Sequence, residues 1–534
     1  MYPLTFPYVK GLPEFASQVD TTPVNSDTIE MQDATGHKST IKSDIPAYFR
    51  DYATLAWKES GMDKAFNPAS VGGQMLKDVM WSQDFLGGMH IIRGDEEVEA
   101  TSSDMDQDGK HALGVSSADG FNGAVLTEII WDKLLTLQNS FAYDGAKLGA
   151  EITSNYDPKN GAVWFPAKVA VTEKMANGVK AVGDLKVVDG RSTLRDTWML
   201  LWPLSEVYAY SDQRPANKNQ NPAFLSVFDG APFPSAPVQN VDTDVSNDVK
   251  SGDPFSVASV LTNATFKNLD ALHFNAKSGT LVDEVKGSKV TTYDAAYALQ
   301  ALTIFQRSQD ALSVGYTSAD AGEGLNTKRG ARALAMIKAQ ADFILSNLIG
   351  KDGLAVDSFE LKTGSATGVS VGTQFAVIRG LAAATTATQD TRYKEAARKL
   401  FGAVEAKMYD KATGTYADMP GKATEYTPYT AAAVSAGLRS LMLDLRNEEG
   451  ENDPNLDLAH LTERYTSWFK TVINGQKVGE GMQLAEWVGD SGENLLSSDN
   501  TGDTDKDNVP QVVYAGGTYG TAMTMANKVL VSKK

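Results

Sequence analysis

The decapeptide Phe274-Asn275-Ala276-Lys277-Ser278-Gly279-Thr280-Leu281-Val282-Asp283 recurs as Tyr409-Asp410-Lys411-Ala412-Thr413-Gly414-Thr415-Tyr416-Ala417-Asp418, with aromatic, Asn/Asp, Gly-Thr and terminal Asp at the same spacing. A looser copy is Gly353-Leu354-Ala355-Val356-Asp357, and Tyr156-Asp157-Pro158-Lys159-Asn160-Gly161 repeats the turn alone. Each copy predicts a tight turn whose glycine takes φ > 0 and which opens a short alternating strand. A long helical pattern precedes each turn and another follows after a gap, which constrains the chain to a series of helix, β-turn, helix modules. Stacked modules share one continuous core, so 534 residues need not divide into the two or three domains that length alone suggests.

The helical patterns are of two kinds. Stretches at 255–273, 328–348, 391–408 and 457–473 lead into the turns and have charged faces, as in Lys328-Arg329-Gly330-Ala331-Arg332. Stretches at 293–308, 370–386, 427–445 and 511–530 follow the turns, are poor in charge and are dense in small residues, as in Val513-Tyr514-Ala515-Gly516-Gly517. Amphipathic helices belong on an outer layer, and small apolar ones belong inside, where close packing rewards Ala and Gly. A helix over 193–210, kinked at Pro203, and one over 45–60 bring the inner kind to six; 71–86 and 121–143 bring the outer kind to six. Residues 162–189 alternate as short strands, and 211–253, rich in Pro, Asn, Asp and Ser, read as a long surface insertion. Residues 1–45, with Pro3, Pro7, Pro13 and Pro23, read as an extended N-terminal arm on a single domain spanning 46–534.

Alternating inner and outer helices with β-turns on one rim resemble the (α/α)6 toroid of six-hairpin glycosidases and related lyases and epimerases, over roughly residues 45–530. The expected fold class is all-α dominated, an (α/α)6 toroid with short β-hairpins on one rim; a helical solenoid or two helical domains are the alternatives. The resemblance is architectural, and no family-specific catalytic signature accompanies it.

In such a toroid the turns and the inner-helix N-termini converge on one concave face. That placement makes Asp283, Asp357, Asp418 and Glu425 candidate catalytic carboxylates, with Glu360 nearby and Tyr426 and Tyr429 as substrate contacts. Glycoside hydrolysis needs two carboxyl groups about the scissile bond, one protonated and one ionised. A recurring Asp after a strand equally suits a turn or helix cap. Glu486 stands outside the repeat, in Leu484-Ala485-Glu486-Trp487-Val488-Gly489-Asp490, where Trp487 could stack on a sugar face and raise the acid's pKa. Trp164, Trp198 and Trp202 are open to the same two readings, sugar stacking or core packing, with core favoured, and Tyr514 joins the candidate substrate contacts.

Two acidic loops suggest a cation. Asp104, Asp106 and Asp108 precede Gly109, and Asp503, Asp505 and Asp507 precede Asn508, the alternation by which an EF-hand-type loop turns oxygens toward calcium. Val115 and Tyr514 stand where the bidentate Glu of that motif would be, so further ligands must come from elsewhere. Asp242 and Asp244, near Asn247 and Asp248, are a weaker third loop. The five histidines are His37, His90, His111, His273 and His460, and none falls in the four clear inner helices, which argues against epimerase chemistry.

The formal charge of -18, from 67 acidic and 49 basic residues, opposes binding to phosphate backbones, so nucleic acid is not an expected partner. No apolar run is long enough to span a membrane. The absence of cysteine excludes disulfides, thiolate metal sites and cysteine nucleophiles. Polar loops rich in Thr, Ser, Asn, Asp and Gly suit an extracytoplasmic protein, periplasmic or secreted. Met1-Tyr2-Pro3-Leu4-Thr5-Phe6 carries no signal peptide, so the expectation is either a cytosolic protein or a mature chain, the second being favoured. The leading reading is an extracytoplasmic glycoside hydrolase that uses two carboxylates, with calcium bracing its loops. The alternatives are a non-catalytic, calcium-stabilised binding or assembly protein, associating with itself or with a cell-surface partner, and a polysaccharide lyase that uses Tyr beside a basic patch.

Overall fold

The computed structural model describes residues 65–86, 117–176, 179–212, 254–314 and 324–473, with strand segments at 27–32, 38–43, 50–51, 56–57 and 529–531. Helices alternate between two layers along the chain. The inner layer holds α1 (Pro68–Leu86), α3 (Leu194–Ser211), α5 (Thr292–Gln309), α7 (Val371–Thr388) and α9 (Pro428–Ser440). The outer layer holds α2 (Ser117–Thr136), α4 (Pro254–Asn268), α6 (Lys328–Phe343), α8 (Thr391–Lys407) and α10 (Leu458–Trp468). Each inner helix packs on the next, α1 on α3, α3 on α5, α5 on α7 and α7 on α9, and each also packs on the outer helix that follows it. The fold is an (α/α)6 toroid dominated by helix, with five of its helical pairs among the described residues.

Glycine lets the inner helices approach this closely. A Cβ on Gly72 of α1 would lie 2.1 Å from the Met199 carbonyl oxygen of α3, and one on Gly380 of α7 would lie 2.5 Å from that of Ala296 in α5. Only a residue without a side chain fits at either crossing. The outer helices show the expected one-sided burial: Tyr393, Ala397, Leu400, Phe401 and Val404 form the buried face of α8. Helix α4 departs from it, being buried almost throughout, because it has no charge before Lys267 and packs against both α3 and α2.

The repeated decapeptide forms the expected hairpins, β8 (Phe274–Asn275) with β9 (Thr280–Leu281) and β13 (Tyr409–Asp410) with β14 (Thr415–Tyr416). Gly279, Gly353 and Gly414 have φ of 69°, 83° and 72°. The Asn/Asp position recurs because its side chain closes the turn: Asn275 Oδ1 accepts from the Lys277 and Ser278 amides, each at 3.1 Å, and Asp410 Oδ1 accepts from Ala412 N at 2.8 Å. Four outer helices, α2, α4, α6 and α10, finish in a π-helical turn before the chain leaves the layer. The strands at 162–189 form a long antiparallel hairpin, β6 (Lys168–Ala176) with β7 (Val179–Asp189), extended at its edge by β5 (Ala65–Phe66).

Three expectations change. Residues 45–60 are not one helix: Arg50–Asp51 (β3) pairs antiparallel with Ala56–Trp57 (β4), and the Ala and Trp there take extended backbone. The helix at 71–86 is inner rather than outer, because α1 packs along α3 and buries polar as well as apolar residues, among them Gln74, Lys77, Asp78, Ser82 and Gln83. At the far end, Val529–Val531 forms β16 against β15 (Thr424–Tyr426), so a helix cannot run through 530. The remainder of the helix expected at 511–530, and the insertion from 213 to 253, lie outside the described residues. Residues Asp27–Gln32 (β1) and Lys38–Ser43 (β2), within the stretch expected to be an extended arm, pair as antiparallel strands. Among the described residues, no helix is long and apolar enough to cross a membrane.

Candidate active site in the lumen of the helix ring

The terminal Asp of each repeated turn lies at the rim where the inner helices begin, and there it accepts backbone hydrogen bonds. Asp283 accepts from the Thr291 amide and hydroxyl, both at 2.7 Å. Asp357 Oδ1 accepts from Ser370 N (3.1 Å), Ser370 Oγ (2.6 Å) and Thr373 Oγ1 (2.5 Å), and Asp418 Oδ1 accepts from Val371 N at 2.7 Å. A helix leaves its first amides without partners, and here four of the five described inner helices find one in the next module. Ala69 N of α1 donates to Asp196, Leu194 N of α3 to the Asp283 carbonyl, Thr292 N of α5 to the Asp357 carbonyl, and Val371 N of α7 to Asp418. The repeated Asp therefore clasps neighbouring modules, with its oxygens turned to the helix ends.

Among the other expected residues, Glu425 is exposed on β15, Glu360 on β11 (Ser358–Glu360) accepts from Ser288 Oγ, and Tyr426 is fully buried with its hydroxyl donating to the Tyr416 carbonyl at 2.8 Å. Tyr429, at the start of α9, faces a different group, described next. Glu486, Trp487, Tyr514 and the loops with Asp104, Asp106, Asp108, Asp503, Asp505 and Asp507 lie outside the described residues. Among the described residues no three His, Asp or Glu side chains are grouped to hold a metal.

A second group of side chains gathers where the inner helices face one another. Helix α3 offers Arg195, Trp198, Trp202 and Glu206 at i, i+3, i+7 and i+11, a single helical face roughly 16 Å long at ~1.5 Å per residue. Helix α5 answers with Tyr293, Asp294 and Tyr297. Tyr297 stacks on Trp198 at 5.1 Å between centroids and lies 6.5 Å from Trp202, forming an aromatic wall. Arg195 grips Asp294 through two hydrogen bonds, Nε to Oδ1 at 2.9 Å and Nη2 to Oδ2 at 3.1 Å. Its guanidinium lies 4.9 Å from the Tyr429 ring and 5.7 Å from that of Tyr293, whose hydroxyl donates to the Tyr429 carbonyl at 2.9 Å.

Both indoles of α3 hold a carboxylate. Trp198 Nε1 donates to Asp294 Oδ1 at 3.0 Å, and Trp202 Nε1 donates to Glu206 Oε1 at 3.2 Å, with Gln83 Nε2 of α1 on Glu206 Oε2 at 3.3 Å. The electrostatics of the two acids differ. Glu206 is buried with no cation beside it among the described residues, and desolvation pushes its carboxyl up to about 7 against the pull of its two hydrogen bonds. Asp294 is paired with Arg195, whose own pKa is raised because the desolvation of the guanidinium is outweighed by Asp294 together with the Tyr429 and Tyr293 phenols. Burial likewise pushes the Tyr297 and Tyr429 phenols up to about 12, so both stay protonated at neutral pH.

Sequence reasoning left Trp198 and Trp202 between sugar stacking and core packing, favouring core, and missed Arg195, Glu206, Tyr293, Asp294 and Tyr297. The helical spacing of Arg, Trp, Trp and Glu along α3 was a readable signal. What gave Glu206 its meaning, the burial and the absence of a cation, was not.

These features define a toroid of paired helices with an aromatic, ionisable lumen. No family model matches the sequence, and no curated protein matches it. The chain is similar in structure to the GH76 α-mannanase of Bacteroides thetaiotaomicron, at 13% identity and a TM-score of 0.40, covering 85% of this chain and 86% of that one. It is similar also to a cellobiose 2-epimerase from Bacillus thermoamylovorans, at 12% identity and a TM-score of 0.33, covering 69% and 82%. A third similar structure is the unsaturated glucuronyl hydrolase of Bacillus sp. GL1, at 11% identity and a TM-score of 0.33, covering 62% and 78%. No residue role passes from these proteins to this chain at such identities.

Proposed function

We propose that the protein is a glycoside hydrolase whose substrate lies against the Trp198–Tyr297–Trp202 wall. The observation that carries the reading is the pair of carboxylates held by adjacent indoles in opposite electrostatic settings. An aromatic wall suits the apolar face of a pyranose, since flat rings bury large area with little loss of entropy. Glu206, with a pKa of about 7, is the proton donor to the glycosidic oxygen. Asp294, paired with Arg195, is the partner carboxylate that activates water or attacks the anomeric carbon. The lyase reading is less well supported, because it needs a Tyr base and burial raises the pKa of the lumen phenols.

The reading extends to an extracytoplasmic protein with calcium on the Asp104–Asp108 and Asp503–Asp507 loops, both supported by sequence alone. A calcium-dependent rise in melting temperature, abolished in a variant with Asp503, Asp505 and Asp507 changed to Asn, is the expected result for the second loop.

The test is a polysaccharide depolymerisation screen beside affinity electrophoresis, run on wild type, Glu206→Gln and Asp294→Asn. Turnover is expected to fall by about 10²–10⁴-fold in Glu206→Gln with binding kept. The alkaline limb of the wild-type rate profile should lie near pH 7. Binding without turnover by wild type would replace the hydrolase with a non-catalytic carbohydrate-binding toroid.

A further inference from the structure

Two arginines reach toward the aromatic wall, and they differ in what occupies their donors. Arg195 has its fork filled by Asp294. Arg379 comes from the middle of α7, and Tyr297 is among the groups that act on its charge. Among the described residues its one hydrogen bond runs from Nη1 to Ser440 Oγ at 3.1 Å. Among the described residues no carboxylate lies within ion-pair distance of it, and Arg439 nearby opposes its charge. Asp444 acts on it only from farther away.

A guanidinium carries five N–H donors in a fixed planar fork suited to two parallel bonds from a carboxylate or sulfate. Holding such a group without a direct ion pair leaves most of its donors unfilled among the described residues, and an oxyanion on a ligand would supply their acceptors. The residue is partly exposed, which leaves it accessible to a ligand. The rest of α7 offers no reason for a cation here: its other buried residues are apolar or small apart from Gln374, and that amide is taken up by Ala355.

We infer that Arg379 receives an oxyanion borne by the sugar, so that the lumen selects acidic over neutral carbohydrate. This rests on the carbohydrate reading above and adds the substrate class. The net charge of the protein works against it at long range, whereas the local field at Arg379 works for it; selectivity should therefore come from short contacts, with the fork setting the geometry.

The experiment is isothermal titration of neutral, hexuronic-acid and sulfated oligosaccharides of matched length into wild type, Arg379→Gln and Arg379→Lys, with melting curves on each protein. Wild type is expected to bind one acidic series at least tenfold more tightly than the neutral series. A preference for uronic acid assigns the carboxylate, and one for the sulfated series assigns the sulfate. The preference should shrink to within twofold in Arg379→Gln, with neutral binding unchanged, and fall partway in Arg379→Lys, which keeps the charge and loses the fork. A wild type with no acidic preference, or a preference that survives Arg379→Gln, overturns the inference and leaves the carbohydrate reading standing. Wild type that binds no sugar of any series overturns both. If the variants fail to fold, the wild-type ratio alone decides.

Discussion

Glu206 ties the stability of the protein to pH through a single buried carboxyl. Its pKa is about 7 in the fold and 4.5 in an unfolded chain, so between those values the folded state holds the extra proton. Its contribution is fully present below pH 4.5 and is lost as pH rises through 7, a cost of about 3 kcal/mol by linkage. Glu206→Gln removes that cost. Urea titrations at pH 5 and pH 8 should therefore show the variant gaining on wild type at the higher pH; equal differences at both would mean that Glu206 is not buried as described. His273 has the opposite sign. Its Nε2 pairs with Ser192 Oγ at 3.0 Å, its Nδ1 with the Val282 carbonyl at 3.0 Å, and burial holds it at about 4. A folded pKa below the ordinary 6.5 means that stability is lost as pH falls from 6.5 through 4. His273→Gln should flatten the acid side of the wild-type profile.

The inner helices depend on backbone proximity, and the outer ones on a single apolar face. Gly380→Ala would put a methyl 2.5 Å from the Ala296 carbonyl oxygen, so α5 and α7 must separate, at a cost of roughly 1–3 kcal/mol by analogy with overpacked cores. Gly402 in outer helix α8 meets nothing within 4 Å, and Gly402→Ala should be neutral or stabilising by up to about 1 kcal/mol. Chemical denaturation of the two variants separates the layers; equal effects would refute the assignment. The clasp between modules predicts a third result. Asp357→Ala strips the acceptor from three donors at the start of α7 and should cost about 1–2 kcal/mol, as lost N-caps do. The element pattern was mostly legible, because caps such as Thr193, Thr327, Asp390, Thr427 and Asp457 stand just before the helices they begin. It failed at α1, where Ser82 and Gln83 look like an outward polar face. They are instead buried against α3, Ser82 Oγ bonding Tyr210 Oη at 2.8 Å and Gln83 bonding Glu206.

At the scale of the molecule, stacking is continuous: one cluster of buried side chains runs from Ala69 of α1 through α3, α5, α7 and α9 to Val531, and a second fills the space beneath the β6–β7 hairpin. Such continuity makes a local change felt along the ring. The surface is dominated by acid, with a formal charge of -18, so mobility-shift titrations with duplex DNA at physiological salt should show no complex.

The sequence by itself determined the module. A glycine at positive φ, an Asx residue to close the turn, and a helix cap are local demands, met within a few residues, and they repeat wherever the turn repeats. Tertiary structure decided what the lumen contains. Arg195, Glu206 and Asp294 are ordinary charged residues in the sequence; their pairing, their desolvation and the indoles that hold them come from helices α3 and α5 meeting across nearly a hundred residues of chain. Charge state depends on burial and on neighbours in space, and neither is written in local sequence.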